Sequence, residues 1–466
     1  MKAAKLGDAV VSMKNGMYKP ASEYGDDGVP CLRMYNIEAG TIVWRDIKRM
    51  RVTPEELDDY GLREGDLLVN RVNSRELVGK TACIPASLEP SVFESKNIRV
   101  RVDPSKALPK FISYQLLAGG RRHFEGNAQQ VVGMASISQK QIADFPIVLA
   151  DIDEQHRIVA EIEKQFSRLD EAVAGLQRVK ANLKRYKAAV LKAAVEGRLV
   201  PTEADLARRE GRDYETGAQL LQRILETRRS QWQGKGKYKE PAAPDTTDLP
   251  ELPEGWAWAS AEQLSDFITK GTTPAADKLS EVGGEVQFLK VYNLTFDGVL
   301  NHRYKPAFIS RKTHDGELTR SKVRPGDVLI NIVGPPLGQV SVVPDSIPEA
   351  NINQAIARFR PIVPLDSSFL ILLLRSEEVM RWAISRAKTT AGQSNLTLEL
   401  CRLLPMPLPP LAEQHRIVAE AERLLSIARE AEAEVDANLK RAQGLRQAIL
   451  SKSFQPSAVP PAPTFS

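Results

Sequence analysis

The spacing of apolar residues divides the chain into stretches of two kinds. Up to about residue 150, short apolar runs such as Asp66–Val69 and Ile98–Val102 are separated by Gly and Pro, which is typical of strands and turns, and Phe111–Leu117 is predicted to be helical. Further on, apolar side chains recur every three or four positions: Ile158, Ile162, Phe166, Leu169, Val173, Leu176, Val179, Leu183, Tyr186, Val190 and Ala194. This spacing predicts one helix of about 40 residues, roughly 60 Å long, with a single apolar seam.

A second helix of the same kind is predicted near the C-terminus. Its apolar positions are Leu424, Ala428, Ala431, Val435, Leu439, Ala442, Leu445 and Ile449. Pro409 and Pro410 mark its start, and Pro456 marks its end. A long helix with one seam needs a partner helix, and the Ala-rich second seam suits close approach to the first, so we predict an antiparallel coiled coil. The alternative is that each helix packs only on its own domain.

The same eight residues occur at the start of both helices, at Glu154–Glu161 and again at Glu413–Glu420. Three more segments repeat in the same order at nearly the same distance along the chain. The pairs are Leu32–Ile37 with Leu289–Leu294, Arg63–Asn70 with Arg324–Asn331, and Met134–Ser138 with Gln393–Thr397. A period this long indicates duplicated domains, because solenoid repeats are roughly 20–50 residues long.

The duplication predicts a mixed α/β (α+β) fold with two similar globular domains separated by two long helices. The predicted segments are a first globular domain at 1–150, a long helix at 151–200, a connector at 201–254 that is helical around Asp205–Arg229 and then a loop, a second globular domain at 255–408, a second long helix at 409–455 and a disordered tail at 456–466.

Composition restricts the class of protein only loosely. The 466 residues are 42% hydrophobic and 26% charged, which supports packed domains and argues against global disorder. Cys31, Cys83 and Cys401 have no metal-like spacing and are too few for a disulfide framework, which fits a reducing cytoplasm. The longest apolar run, Phe369–Leu374, is too short to span a bilayer, and no N-terminal signal core is seen. A net charge of +5 is a weak indication of a polyanionic partner.

No segment carries a persuasive catalytic or metal-binding motif. A Gly-rich loop ending in Lys and Ser or Thr is absent, so nothing indicates a nucleotide-hydrolysing P-loop. Asn331–Pro336 differs from the Asn-Pro-Pro-aromatic motif of amino-methyltransferases, because its Asn and prolines are not adjacent. His156 and His415 stand at helix starts beside Glu residues, where packing, capping or a partner contact is favoured over a metal.

Polar residues in the globular regions are the candidates for binding DNA. Arg, Asn and Gln can contact base edges, while Lys and Ser usually hold phosphates. The candidates are Arg71, Asn73, Arg75, Lys80, Lys96, Arg99, Arg121, Arg122 and Ser136 in the first region, and Asn331, Gln339, Asn351, Asn353, Gln354, Lys388, Gln393, Ser394 and Asn395 in the second. A solvated surface is the alternative for any one of them. Tyr35-Asn36 and Tyr292-Asn293 are interpreted as structural residues at strand ends.

This organisation resembles the specificity subunit of type I restriction–modification systems, along nearly the whole chain. The residues that carry the resemblance are Pro410–Ile417, its counterpart Asp153–Ile158, Leu252–Trp256 before the second region, and the pairs Gly65-Asp66 and Gly326-Asp327. One departure is Asp151-Ile152-Asp153, where Pro-Pro-Leu is more usual. Asp is nevertheless a good residue to begin a helix.

The resemblance implies a subunit without a catalytic site or cofactor of its own, in which two target-recognition domains read the halves of a bipartite, asymmetric DNA sequence. The helices would set the spacing and dock two methyltransferase subunits, joined by two restriction subunits, and these partners would use S-adenosylmethionine, ATP and magnesium. The predicted partner-binding residues are Glu154, Gln155, His156 and Arg157, with Glu413, Gln414, His415 and Arg416. The alternatives are a structural adaptor whose duplicated domains bind protein, and a stand-alone nuclease with an unrecognised carboxylate site.

Overall fold

The computed structural model describes residues 1–131, 133–233, 236–390 and 393–455 of the chain. These residues form two compact units. Unit 1 comprises Met1–Arg178 with the chain from Val435, and unit 2 comprises Val179–Glu434. Each unit holds one globular region and a part of both long helices, so the duplication seen in the sequence is also a duplication of structure.

The strands are short and fall into two sets, one in each globular region. The first set is β1 Lys2–Lys5, β2 Val10–Asn15, β3 Tyr24–Gly25, β4 Val29–Leu32, β5 Ile37–Glu38, β6 Thr41–Ile42, β7 Lys48–Met50, β8 Leu67–Asn70, β9 Val72–Asn73, β10 Thr81–Cys83, β11 Val92–Phe93, β12 Asn97–Val102, β13 Gln129–Val131, β14 Met134–Ser136 and β15 Pro146–Leu149. The second set is β16 Ala257–Ser260, β17 Thr269–Lys270, β18 Val286–Leu289, β19 Phe308–Ile309, β20 Lys322–Val323, β21 Val328–Asn331, β22 Val333–Gly334, β23 Val340–Val342, β24 Ala350–Ile352, β25 Ile356–Phe359, β26 Lys388–Thr390, β27 Gln393–Asn395 and β28 Pro405–Leu408.

Two helices are much longer than the others. The α-helices are α1 Pro54–Tyr60, α2 Pro109–Gln115, α3 Arg121–Asn127, α4 Gln139–Ala143, α5 Ile152–Val195, α6 Glu203–Glu210, α7 Gly217–Ser230, α8 Ala261–Leu264, α9 Arg311–Asp315, α10 Ser367–Arg375, α11 Glu377–Ile384, α12 Leu398–Leu403 and α13 Leu411–Ser453. The 44 residues of α5 and the 43 residues of α13 confirm the two predicted long helices. Gly175 does not interrupt α5.

The two globular regions share most of their sheet topology. A four-stranded antiparallel sheet has the order β10-β8-β12-β2 in the first region and β23-β21-β25-β17 in the second. A second sheet contains one parallel pair in each region, β4 with β11 and β18 with β24. A third sheet joins β13-β14-β9 in the first region and β22-β27-β26 in the second. The duplicated motifs therefore occupy equivalent strands of one repeated fold.

The repeated Gly-Asp pairs close the turn before the central strand of each region. Gly65 and Gly326 have φ of 81° and 82°, a left-handed conformation that favours glycine. The Asp66 carboxylate accepts the backbone N–H of Arg63 at 2.9 Å and faces Arg101 at 2.9 Å. Asp327 repeats both contacts with Arg324 and Arg360, at 2.9 and 2.6 Å. These motifs are therefore structural in both copies.

In unit 1, the first half of α5 packs against the last half of α13. Ile162 and Phe166 form a buried cluster with Leu450. Arg446 lies 4.3 Å from the Phe166 ring and pairs with Asp170 at 2.8 Å. Residue numbers rise along α5 as they fall along α13, so the helices are antiparallel in this unit.

In unit 2, the last part of α5 packs beside the first part of α13. Val190 and Ala194 share one buried core with Ile417 and Ala421. Lys187 Nζ lies 2.7 Å from Glu432 Oε2. The predicted pairing of the two helices is therefore confirmed within each unit.

The connector differs from the single charged helix predicted at Asp205–Arg229. It forms α6 and α7 instead, because Gly211 adopts a left-handed conformation that ends α6. The predicted domain boundaries stay predictions, and the tail at 456–466 lies outside the described residues. Among the described residues, no helix combines the length and apolarity needed to cross a membrane.

Candidate nucleic-acid interface

Amide side chains after the central strand of the first region bond to the protein itself. Asn73 donates to Asn70 Oδ1 at 2.8 Å, and Asn70 in turn donates to Asn97 Oδ1 at 3.2 Å. Arg99 is also buried, and it donates to the Gly61 carbonyl at 2.9 Å. Two predicted DNA contacts, Asn73 and Arg99, thus lie inside the fold. Their assignment to DNA stays a prediction, and their burial favours a structural role.

The second region uses its amides in the same way. Asn331 is fully buried and accepts the backbone N–H of Gln339 at 2.7 Å, while the Gln339 side chain donates to the Leu294 carbonyl at 3.1 Å. Asn351 is also fully buried and bonds to His314 and Ser321. Burial favours a structural role for Asn331 and Asn351 too, because neither presents a free amide to the surface.

Exposed and half-buried cations gather around one cleft of the first region. The cleft has a volume of about 760 Å³ and is lined by Lys80, Arg121 and Arg122 among others. Both arginines are exposed at the start of α3, while burial lowers the pKa of Lys80. Arg75 lies next to it and donates to the Glu125 carbonyl at 3.3 Å. Four predicted residues are thereby brought together on one face.

The second region has an equivalent cleft with a different lining. Its volume is about 390 Å³, and it lies between the loop at Gly338 and α11, as the first lies between the loop at Gly79 and α3. Met380 and Arg381 of α11 line this cleft, as Arg121 and Arg122 of α3 line the first. The two clefts have similar places in their regions, but they differ in volume and in the side chains that line them. Such a difference is expected of surfaces that recognise different sequences.

The remaining predicted residues are dispersed. Arg71, Lys96 and Ser136 are half-buried, and Arg71 donates to the Ser95 carbonyl at 3.4 Å. In the second region Asn353 is half-buried, Gln354 is exposed and hydrogen-bonded to Thr273, and Ser394 and Asn395 lie half-buried on β27. Lys388 and Gln393 lie on β26 and β27, but their side chains lie outside what the structure describes.

The glutamine of the repeated octapeptide is buried at the start of each long helix. Gln155 is buried, accepts the Leu108 N–H at 2.8 Å and donates to the Lys106 and Ala150 carbonyls. Gln414 is likewise buried and donates to the Pro409 carbonyl at 2.9 Å. Both of these predicted partner-binding residues are therefore buried, and Gln155 ties the start of α5 to the first globular region.

The other residues of the octapeptide differ between the copies. In the first, Glu154 and Arg157 pair at 2.6 Å on the surface beside the exposed His156. In the second, Glu413 is fully buried, where it accepts the Trp256 Nε1–H at 3.0 Å and the Glu203 N–H at 2.8 Å. Burial raises the pKa of Glu413.

The second octapeptide therefore contacts the connector through Glu413 and Arg416, which both bind Glu203. Arg416 faces Glu203 at 2.7 Å, and Glu203 also pairs with Arg212. Only His415 of this copy's four predicted residues is exposed. The partner-binding assignment stays a prediction, with Glu154, His156, Arg157 and His415 as its accessible members.

Exposed aromatic residues beside cations were missed by the sequence analysis. Tyr35 and Tyr292 were interpreted as structural, but their rings are 57% and 39% exposed, while the neighbouring Asn36 and Asn293 are buried. The signal in the sequence was an aromatic residue followed by a cation, at Trp44-Arg45 and again at Tyr304-Lys305. Among the described residues, no group of three or more His, Cys, Asp or Glu is arranged to hold a metal ion.

Known proteins similar to this chain share one description. The EcoBI type I restriction enzyme specificity subunit of Escherichia coli is 27% identical over 461 residues, which cover 96% of this chain and 84% of that protein. The EcoDI specificity subunit of Escherichia coli is 23% identical over 364 residues, covering 76% of this chain and 71% of the relative. No protein-family model matches the chain.

Solved structures show the same fold. One, from a study of complex assembly and conformational transition in a type I restriction–modification system, has a TM-score of 0.66 at 19% identity and covers 97% of both chains. The HsdS subunit from Thermoanaerobacter tengcongensis has a TM-score of 0.50 at 17% identity, covering 97% of this chain and 96% of that chain. The resemblance stated from the sequence is thus confirmed, and so is the fold class.

Proposed function

We propose, from this likeness to type I specificity subunits, that the chain is the DNA sequence-recognition subunit of a type I restriction–modification complex. Each globular region would read one half of a bipartite DNA target. The observation that carries the proposal is a single fold present twice with unlike surface clefts. Duplication supplies two readers of the same construction, and divergence of the clefts gives each reader its own sequence.

The unlike clefts also support an asymmetric target. Arg121 and Arg122 offer two guanidinium groups to the first half-site, and such groups bind guanine or phosphate oxygens. The second cleft offers the exposed Arg381 beside the apolar Met380, while its other arginine, Arg375, is only 8% exposed and lies 3.9 Å from Asp297. Two identical half-sites would require matching donors, and these side chains do not match.

The long helices support the spacing and docking roles. Their pairing gives each unit a helical frame, to which the first globular region is bonded through Gln155 and the second through Glu413 and Trp256. We propose that this frame sets the gap between half-sites and docks two methyltransferase subunits, with two restriction subunits added to them. The accessible Glu154, His156 and Arg157 are the preferred docking residues on the first copy.

The chemistry of the complex would then belong to the partners. This chain would bind no cofactor, and the methyltransferase and restriction subunits would use S-adenosylmethionine, ATP and magnesium in the cytoplasm. The chain contributes recognition, so its loss should abolish methylation even when the catalytic subunits are present.

The decisive experiment maps methylated adenines in the host genome with and without the gene for this chain. We expect a two-part, non-palindromic motif with a constant gap, which disappears on deletion and returns on complementation. A motif that persists after deletion, or no two-part motif at all, would leave the structural adaptor as the better description.

A further inference from the structure

Each globular region carries an exposed turn of the same unusual construction. The first turn consists of Arg33, Tyr35, Trp44 and Arg45, and the second consists of Lys290, Tyr292, Tyr304 and Lys305. We call these the aromatic–basic turns. Each has two aromatic residues and two cations, although most of the sequence around them differs between the copies.

A buried asparagine builds each turn. Asn36 accepts the backbone N–H of Arg33 at 2.9 Å and donates to the carbonyls of Val43 and Arg45 at 3.2 and 2.9 Å. One side chain thereby joins the segment around Tyr35 to the segment that carries Trp44. Because the Asn36 side chain is fully buried, this arrangement is fixed before any ligand binds.

Asn293 makes the corresponding contacts in the second turn. It accepts the backbone N–H of Lys290 at 2.9 Å and donates to the carbonyls of Asn301 and Tyr304 at 3.0 and 2.8 Å. The equivalent hydrogen bonds explain why Asn is present at both positions. Two of the other side chains also bond within their turns, since Tyr292 donates to the Lys305 carbonyl at 3.1 Å and Arg33 donates to the Asp46 carbonyl at 2.7 Å. These contacts do not account for the cations at Arg45 and Lys305 or for the exposed rings.

The rings, Arg45 and Lys305 lie at the surface, and Arg33 and Lys290 are half-buried. Trp44 and Tyr304 are 47% and 48% exposed, and Tyr35 is more exposed than either. The cations lie next to the rings: Arg33 is 5.5 Å from Tyr35, and Lys305 is 5.5 Å from Tyr304. Flat rings flanked by fixed positive charge are the features with which proteins hold nucleic acids.

We infer that the two aromatic–basic turns bind the sugar–phosphate backbone of duplex DNA without regard to sequence. This inference rests on the proposed function. Elements that read different half-sites must differ between the regions, as the clefts do. Elements that touch what every half-site has in common can stay alike, and the backbone is common to all DNA.

The chemistry of the turns matches that ligand. Arg33, Arg45, Lys290 and Lys305 supply charge for phosphate oxygens, and the rings supply flat surfaces for the sugar edges. The Arg45 side chain is 66% exposed and pairs with Glu38 at 3.3 Å, a surface contact that phosphate can displace. The turns position each region on the duplex, and the clefts discriminate the bases.

The test uses the full chain, alone and assembled with its methyltransferase subunit, and titrates duplexes of mixed sequence at several salt concentrations. The variants are Trp44→Ala with Arg45→Glu, and Tyr304→Ala with Lys305→Glu. We expect each variant to bind mixed-sequence DNA about tenfold more weakly or worse, with a salt slope smaller by about 1 for each phosphate that the variant no longer neutralises. The preference for target over mixed sequence should remain.

The matched control is Tyr18→Ala with Arg63→Glu. Tyr18 is an 86% exposed aromatic residue outside the turn, and the Arg63 side chain is 66% exposed, like that of Arg45. The inference is overturned if the turn variants bind like this control, or if they lose sequence preference while keeping mixed-sequence affinity. If the wild-type complex shows no preference for any target, the proposed function itself fails.

Discussion

Small polar side chains at equivalent positions determine the local geometry of both regions. Asp66 and Asp327 each bind a backbone N–H and an arginine, and Asn36 and Asn293 each join two segments of a turn. Such groups are hydrogen-bonded because leaving them buried and unpaired costs about 1–3 kcal/mol each. The copies of the octapeptide are the exception, since identical residues there have different surroundings.

The two glutamates of the octapeptide should differ in their effect on stability. Glu413→Ala removes the acceptor of two buried hydrogen bonds, and we expect it to lower the free energy of unfolding of unit 2 by about 2–3 kcal/mol. Glu154→Ala removes only a surface pair with Arg157, so the free energy of unfolding of unit 1, to which Glu154 belongs, should change little. Urea unfolding of both variants provides the measurement. Equal losses would show that the burial of Glu413 contributes nothing.

The sequence predicts that several polar residues read bases, but their burial in the structure favours a structural role. Asn73, Arg99, Asn331 and Asn351 were selected because their side chains can read bases, and the same donors and acceptors also close turns and pair inside sheets. Which of the two happens depends on burial, and burial depends on contacts distant in the chain. Arg99, for example, is buried and donates to the carbonyl of Gly61, which is 38 residues earlier in the chain.

The long helices combine regular spacing with a seam that changes along their length. Their existence and antiparallel pairing could be predicted, because apolar residues three and four apart stay on one face over many turns. The detailed seam could not be predicted in full. Val179, Tyr186 and Leu445 fit the pattern but are 44%, 43% and 55% exposed. A straight helix drifts relative to a fixed repeat, so some residues in phase by sequence turn towards solvent.

Seam residues that are buried should matter far more than those that are not. Phe166 is 7% exposed, meets Tyr114 edge to face at 5.7 Å and supports Arg446, so Phe166→Ala should lower the free energy of unfolding of unit 1 by about 3 kcal/mol. Leu445→Ala is the matched control, since it removes a predicted seam residue that lies exposed. Thermal unfolding followed by circular dichroism would compare them. A larger loss at Leu445 would contradict the observed seam.

The molecule contains the same fold twice, together with two long helices. Its proposed role depends on both the repeated fold and the helices. The sequence predicted this level best, because four repeated segments in one order leave few alternatives. The sequence predicted two features less well. Gly211 divides the helix predicted in the connector, and Glu413 of the second octapeptide is hydrogen-bonded to Glu203 and Trp256.

Lengthening both helices should lengthen the recognised gap. One heptad inserted in α5 within 176–186, with one heptad between Glu432 and Arg446 in α13, keeps the contacts of each unit and the phase of the seam. At 1.5 Å per residue this adds about 10 Å, or roughly three base pairs. Methylation mapping should show a longer gap between unchanged half-sites. Altered half-site letters would refute a spacing role for the helices.

The strands that open and close each region lie side by side. Lys5 is opposite Pro146, and Ser260 is opposite Pro405, so the first and last strands of each region are neighbours, and the last strand leads into a long helix. A region bounded in this way can be exchanged by recombination as a cassette without disturbing the frame. Under the proposed function, replacement of one region should change one half of the recognised sequence and leave the other half unchanged.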